Sequence, residues 1–384
     1  MISWNLGTRS VLPIGLDIGH SSIKMIQLAL SGGHMSVVAA DKIRLDPGIN
    51  GDPQARKDAV VSAIRQMLAK QYFRGRGVVS SLPNDKLRIT SLRLSQPEFE
   101  NVGKALRKEA VQRFGLDPEK DSINYMVAGS VRQGEETRNE LILFAASDES
   151  IREHISLVEE AGLRPVAIDA IPCALFRGFE RRQRRQEDRE RTVVFVDVGS
   201  RFTTVVFGRG GDIIFIKQIP IGGERFTREV AQKLGLSLPE AQRLREKLWL
   251  ERASNGPKAG RAVQEDCGDE GKIDSATREA VVDAISSAVT ELAREISLCL
   301  RYFTVTFRGR RVERAVFSGG EAYESILLSV LKNQLTVEIS VAEPLKGFDL
   351  SSSRGSMSLD NDRRGLLCEW AVAVGLGLKA ANTK

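Results

Sequence analysis

The stretch "IGLDIGHSSIK" (residues 14–24) interrupts an apolar run with a carboxylate, Asp17, a glycine, Gly19, and two hydroxyls, Ser21 and Ser22. A buried strand favours unbroken β-branched and aliphatic residues, so the interruption needs a reason. A glycine two positions after an aspartate lets the backbone approach a ligand closely and adopt angles that a side chain forbids. The N–H groups and hydroxyls beyond it can then donate to phosphate oxygens. The carboxylate can hold a hydrated Mg2+, which takes one or two carboxylates and retains waters. A plain β-hairpin with Asp and Gly in its turn fits the same residues.

The same arrangement occurs again in "VFVDVGSRFTTVVFG" (residues 194–208), with Asp197 and Gly199 in the matching places. Each copy continues through a Gly-Gly pair (Gly32-Gly33 and Gly210-Gly211) into a third apolar run. A three-stranded meander is therefore written twice, about half a chain apart, which indicates a duplicated domain and not a solenoid. Two such turns facing each other across a cleft would grip a polyphosphate from both sides. A third glycine-rich piece, "RAVFSGGEAYESIL" (residues 314–327), reads as a strand running through Ser318-Gly319-Gly320 into a helix. Glycines there let backbone pass under a base or a phosphate.

The elements that must position these residues alternate between strand and helix patterns over 384 residues, which predicts an α/β protein of two lobes. No apolar run approaches the ~20 residues that span a bilayer, and "MISWNLGTRSVLP" lacks the basic and apolar regions of a signal peptide. Cys173, Cys267, Cys299 and Cys368 have no paired spacing, which predicts reduced thiols and no zinc site. His20, His34 and His154 form no catalytic or metal set. The net charge of +6 is interleaved with acids even in the densest basic run (residues 177–192), which reads as a solvated helix end or linker. Without aromatic interleaving it does not point to nucleic acid.

These motifs resemble the actin, Hsp70 and sugar-kinase superfamily, and within it the bacterial FtsA branch and above all the PilM family of type IV pilus assembly proteins, over nearly the whole chain. The resemblance implies a two-lobed actin-like fold with duplicated mixed-sheet lobes and an inserted small α+β subdomain. The first lobe would comprise residues 1–85 with 162–191 and a C-terminal helix at 366–384, the insert 86–161, and the second lobe 192–365 with its upper part at 222–310. It implies a first phosphate loop of Asp17, Gly19, Ser21, Ser22 and Lys24, whose amine would face the β- and γ-phosphates. A second loop would comprise Asp197, Gly199 and Thr203, and an adenosine segment Gly319, Gly320 and Glu321. "IPIGGERFT" resembles the stretch beside ribose and base, implicating Gly222, Gly223 and Glu224. Where FtsA-like chains carry Ala-Glu-x-x-Lys on the following helix, this one has Ala241-Gln242-Arg243-Leu244-Arg245, leaving Arg245 to stack on the base or bond it.

"SLPNDKLRITSLRLSQPEFENVGKALRKEAVQRFGLDPEKDSINYMV" resembles the small subdomain of PilM. A helix with Ile151, Ile155 and Val158 on one face is expected to pack on that subdomain's sheet. "LLCEWAVAVGLGLKAA" is expected to be a helix whose small residues let it pack closely beside the cleft. Residues 348–365 and 252–274 read as polar loop and insertion.

The chemistry implied is ATP binding with Mg2+, Asp17 and Asp197 being the metal-side carboxylates and Asp197 the group that orients the attacking water. The connecting segment "VAIDAIPCAL" offers no second water-orienting Gln or His, and Asp169 within it serves equally as a helix cap. Turnover is therefore expected to be slow at most. The resemblance implies a cytoplasmic scaffold, peripheral at the inner face of the inner membrane, that binds the cytoplasmic tail of a bitopic PilN-like protein. Pilus motor ATPases and a second copy of the chain are further candidate contacts, and nucleic acid is not expected. An FtsA-like membrane-associated filament is the alternative, but "LGLKAANTK" lacks the basic amphipathic character of a membrane helix. A small-molecule kinase of the same superfamily is a second alternative.

Overall fold

The computed structural model describes residues 10–133, 135–180, 191–254, 273–307, 311–351, 353–354 and 367–382. The expected insertion at 252–274, the basic run and the polar loop before the C-terminal helix lie largely outside these residues.

A short strand β1 (Ser10–Val11) leads into the first meander, β2 (Ile14–Ile18), β3 (Ser22–Ser31) and β4 (His34–Arg44). These strands are antiparallel, and β3 also pairs with β1. Gly32 and Gly33 form the two-residue β3–β4 turn with φ of 56° and 81°. Positive φ at both central positions is the turn that matches the right-handed twist of a hairpin, which explains why both are glycine. Helix α1 (Pro53–Ala69) then starts at Asp52, whose side chain accepts from the N–H groups of Gln54 and Ala55. It buries Val60, Val61, Ile64, Met67 and Leu68 and delivers the chain to β5 (Gly77–Ser81), parallel to β2.

The insert follows: β6 (Arg88–Leu94), α2 (Gln96–Glu100), α3 (Val102–Phe114), β7 (Ser122–Gln133) and β8 (Glu136–Ala146). Its three strands form a separate antiparallel sheet with β8 in the middle. After it come α4 (Asp148–Glu160), β9 (Arg164–Asp169), parallel to β5, and α5 (Ile171–Glu180).

The second lobe repeats the plan. Strands β10 (Thr192–Val198), β11 (Thr203–Arg209) and β12 (Asp212–Ile219) form the second meander, closed by Gly210 and Gly211 at φ of 61° and 92°. Helices α6 (Gly223–Leu234), α7 (Leu238–Ser254) and α8 (Ser275–Thr306) precede β13 (Val312–Ser318), α9 (Ser325–Gln334), β14 (Glu338–Val341) and α10 (Ala371–Gly377). Its sheet runs β12-β11-β10-β13-β14, antiparallel through the meander and parallel beyond it. The first lobe's β4-β3-β2-β5-β9 has the same pattern, so the duplication seen in the residues is a duplication of the sheets.

Packing differs from expectation at α4 and at the polar loop, and the insert adds a contact of its own. The face of α4 carrying Val158 joins the first-lobe core with Ile14, Leu16 and Ile64, while Ile151 packs beside Leu82 and Leu87 at the junction with the insert. The insert's own sheet therefore ends near Ala146, and α4 covers the first lobe. Ile142, Ala128 and Val131 of the insert instead join the second-lobe core with Phe207 and Phe215, so the insert bridges both lobes. Finally, part of the expected polar loop pairs with β4: the N–H groups of Val37 and Ala40 donate to Asp349 and Arg354, with Leu345 and Phe348 buried beneath. That edge is thereby covered, as exposed strand edges are otherwise open to pairing with other chains.

Helices α5 and α10 cross between the lobes. Leu175, Phe176 and Phe179 of α5 belong to the second-lobe core, with Phe179 stacked on Phe195 at 5.1 Å. Ala373 and Val374 of α10 belong to a first-lobe cluster with Ile26 and Leu28. The crossing is close because of glycine: a Cβ at Gly15 would lie 2.3 Å from the Ala373 carbonyl oxygen, and one at Gly375 1.8 Å from that of Ala174. The small residues thus allow the close packing expected of them, on a helix that runs only from Ala371 to Gly377.

Candidate functional site

The two Asp-x-Gly turns have one geometry. The N–H of Gly19 donates to the carbonyl of Ser22 at 3.1 Å, and that of Gly199 to the carbonyl of Phe202 at 3.0 Å. Register then fixes what faces each carboxylate. Asp17 sits across from Lys24, and Asp197 across from Thr204. Lys24 Nζ donates to Asp17 Oδ2 at 3.0 Å, and both groups are buried. Burial disfavours the Lys24 ammonium, but Asp17 and Glu369 outweigh it and hold its pKa above the ordinary value. Glu369 in turn pairs with Lys42 at 2.5 Å.

Asp197 feels the same cluster from the second lobe. Burial first, and then the negative charge of Asp17, push it up to about 6, against the opposing effects of Ser318 and Lys24. Its Oδ1 accepts from the Ser318 hydroxyl at 3.1 Å, which ties the second turn to the strand leading into the Gly319-Gly320 segment. Gly319 has φ of 94°, and a Cβ there would lie 2.3 Å from the Val198 carbonyl oxygen. Two mutually repelling carboxylates, Asp17 buried and Asp197 half-buried, suit a hydrated cation between them, since a cation would relieve the repulsion. No cluster of three or more His, Cys, Asp or Glu side chains able to hold a metal occurs among the described residues, so protein groups alone would not complete a shell.

The loops carry cations at their outer side. Arg56 donates to the carbonyls of Gly19 and His20, both at 2.9 Å. Glu224 lies between the turns, its Oε2 3.5 Å from Arg201 and 3.6 Å from His20, while Oε1 accepts from Arg228 at 2.8 Å. Burial, with Arg56 and Arg201 nearby, pulls the His20 pKa down to about 4, so at neutral pH its contact with Glu224 is not an ion pair.

The expected adenosine-side residues are drawn together, though not as open contacts. Arg245 donates to the Gly223 carbonyl at 3.0 Å, to Thr227 Oγ1 at 2.8 Å and to Glu321 Oε2 at 2.7 Å, and it lies over the Phe226 ring. A Cβ at Gly223 would meet Glu321 Oε1, so the glycine makes room for that carboxylate. Gly222 is likewise pressed against the carbonyls of Gly199 and Ser200. An Arg245 so engaged would have to leave these partners to stack on a base.

Thr203 is fully buried and donates to the Ile221 carbonyl at 2.7 Å, so it holds the turn before α6. The adjacent Thr204, not among the expected loop residues, faces the same side as Asp197 and accepts from Asn84 at 3.3 Å. Lys42, Glu369 and Ser318 were also missed. Strand alternation carries the signal for Thr204, because residue 24 in the first copy matches 204 and not 203 once both hairpins are aligned on their aspartates. Asp169, open to two readings, is held by Arg177 at 2.8 Å and Lys379 at 3.0 Å where α5 meets β9.

The family described as type IV pilus assembly protein PilM matches residues 15–253 and 267–381. A solved PilM-PilN type IV pilus biogenesis complex superposes with a TM-score of 0.73 at 22% identity, covering 95% of this chain and 97% of that one. The ethanolamine utilization protein EutJ from Carboxydothermus hydrogenoformans superposes with a TM-score of 0.52 at 12% identity, over 97% of this chain and 91% of that one. Cell division protein FtsA from Streptococcus pneumoniae is 22% identical over an alignment of 257 residues that covers 60% of this chain. The match spans about half of that relative, 54% of its length. The two-lobed α/β architecture is the actin-like fold.

Proposed function

The chain belongs to the PilM family of type IV pilus assembly proteins, and we propose that it is an actin-like ATP-binding scaffold of the inner-membrane complex that assembles a type IV pilus or a related secretion machine. The observation that supports nucleotide binding is the facing pair of turns, in which Asp17 and Asp197 are close enough for one charge to raise the pKa of the other. In this reading the N–H groups of the two turns and the Lys24 ammonium receive the phosphates, and Asp17 stands on the metal side. Bound Mg2+ would supply charge neutralisation during phosphoryl transfer. Asp197, mostly ionised at neutral pH despite its raised pKa, orients a water and accepts its proton. Turnover is slow because Asp169, already held by Arg177 and Lys379, is not placed to help.

The partner is the cytoplasmic tail of a bitopic PilN-like protein. A solved relative named as a PilM-PilN complex supports this choice. The insert supports it too, because a ligand there would touch an element packed on both lobes and so bias their relative angle. Among the described residues no helix is long and apolar enough to cross a membrane, which fits attachment through such a partner at the inner face. The cell-division reading rests on a partial match alone.

Calorimetry tests the proposal. Mg-ATP is expected to bind with micromolar affinity, about −8 kcal/mol, and a PilN-like tail peptide is expected to raise the melting temperature. Absence of both heat and thermal shift at millimolar nucleotide removes the ATP assignment. A peptide that leaves the melting temperature unchanged removes the partner assignment.

A further inference from the structure

The loop that joins α1 to β5, "KQYFRGRG", does no work in the site described above, yet it is held rigidly. The buried amide of Gln27 accepts from the N–H of Arg74 and donates to its carbonyl, both at 2.7 Å. Two residues on, the Arg76 carbonyl accepts from the N–H of Arg164 at 2.8 Å, so the starts of β5 and β9 lie side by side. Arg65, on the last turns of α1, shares with Arg76 a hollow that is also lined by Gln71, Glu160 and Gly162. Arg65 donates to the Glu160 carbonyl at 2.7 Å, and the Glu160 carboxylate is paired with Lys57.

Four exposed arginines, Arg65, Arg74, Arg76 and Arg164, thus meet at one end of the first lobe from three separate stretches of chain. Among the described residues none of them forms a salt bridge with an acidic side chain, although the Glu160 carboxylate, held by Lys57, is near enough to Arg65 to feel its charge. Apolar surface lies between: Val166 is 48% exposed, and its Cγ2 and the Arg164 guanidinium both lie over Gly77. Arginine presents a planar fork of donors that suits phosphate oxygens. Planar arrays of phosphate over an apolar layer are what an anionic bilayer offers, and such a surface attracts clustered arginines within about a Debye length. Base stacking, which single-stranded nucleic acid would demand, has only Tyr72 and Phe73 to use, and Phe73 packs into the first-lobe core.

We propose that this end of the first lobe is a docking face for an anionic membrane surface, with the hollow between Arg65 and Arg76 receiving a headgroup phosphate. The contact is independent of nucleotide and of the PilN-like tail, and it would orient the scaffold on the bilayer directly.

Co-sedimentation of the full chain with phosphatidylcholine vesicles, with and without phosphatidylglycerol, tests it. The protein is expected to sediment with the anionic vesicles alone and to leave them as salt is raised. The triple variant Arg74→Gln, Arg76→Gln, Arg164→Gln is expected to bind about a hundredfold more weakly, while its melting temperature and its response to Mg-ATP match the wild type. Equal sedimentation with neutral vesicles overturns the proposal, as does a folded triple variant that binds like the wild type. So does release from the anionic vesicles by millimolar glycerol phosphate or by duplex DNA at equal phosphate concentration, since the face would then serve soluble phosphate esters or nucleic acid.

Discussion

Lys24 Nζ lies 3.0 Å from Asp17 Oδ2, directly across the β2–β3 ladder, with both side chains removed from water. Deleting one partner of such a pair leaves a buried charge uncompensated, a loss of about 3–5 kcal/mol. Lys24→Ala is therefore expected to lower stability by that amount and to abolish Mg-ATP binding. The double variant Lys24→Met, Asp17→Leu is expected to recover most of the stability while remaining unable to bind nucleotide. Chemical denaturation and calorimetry on the three proteins check both statements.

Asp197 gives the site a pH signature. Its folded pKa of about 6 exceeds the ordinary 3.8, so folding favours the protonated carboxyl. Its contribution to stability is fully present below about pH 3.8 and is lost as pH rises through about 6, a difference of about 3 kcal/mol. Asp197→Asn is expected to be more stable than the wild type at pH 7 and to have a flatter profile between pH 4 and 6. His20 and His154, both pulled from 6.5 down to about 4, act in the opposite sense over nearly the same range. The difference between variant and wild type isolates Asp197. The same variant is expected to lose ATP turnover more than ATP affinity, as read by single-turnover assay against calorimetry.

The glycine at the helix crossing permits a third test. Gly375→Ala would drive a methyl into the Ala174 carbonyl, and overpacking of this kind costs about 1–3 kcal/mol. Because α5 belongs to the second-lobe core and α10 to the first, the strain falls where the lobes join. The variant is expected to melt lower and to show a weaker nucleotide-induced thermal shift, while Gly32→Ala, with open space around its Cβ, changes stability alone.

Arg93 pins the insert to the second lobe. It donates to the buried Glu140 at 2.8 Å and to Tyr302 and Thr306 of α8 at 3.1 and 3.0 Å. Burial raises the Glu140 pKa even with Arg93 beside it. Arg93→Ala is expected to destabilise the protein by about 3 kcal/mol. It is also expected to uncouple the tail peptide from nucleotide: each still binds, but neither changes the other's affinity in calorimetric titrations.

Much of this was legible in the residues. The repeated Asp-x-Gly meander and its Gly-Gly turns predicted both sheets, because a hairpin is a local object whose glycines announce its backbone angles. Side-chain parity was harder. A shift of one residue moves every side chain of a strand to the other face, and on that account the motif points to Thr203 although Thr204 faces Asp197. The engagement of Arg245 by Thr227 and Glu321 joins the consecutive helices α6 and α7 to a segment 76 residues further on, and helical spacing carries no trace of it. The pairing of residues 349–354 with β4 was invisible for a related reason: "FDLSSSRG" has the polarity of a loop, and only the open edge of a distant strand makes it more.

The crossing of α5 and α10 also bears on how the chain is made. Gly15 in the second strand is roofed by Ala373 and Gly377, residues translated after the strands of the second lobe. Domains generally fold as they emerge, N-terminal first. Here the first lobe cannot cover this face of its sheet until the strands of the second lobe have been synthesised, whereas the second lobe receives Leu175, Phe176 and Phe179 before its strands appear. The half translated first is thus the half completed last, and during translation the apolar face holding Ile26 and Leu28 is left for a chaperone, or a neighbouring nascent chain, to cover.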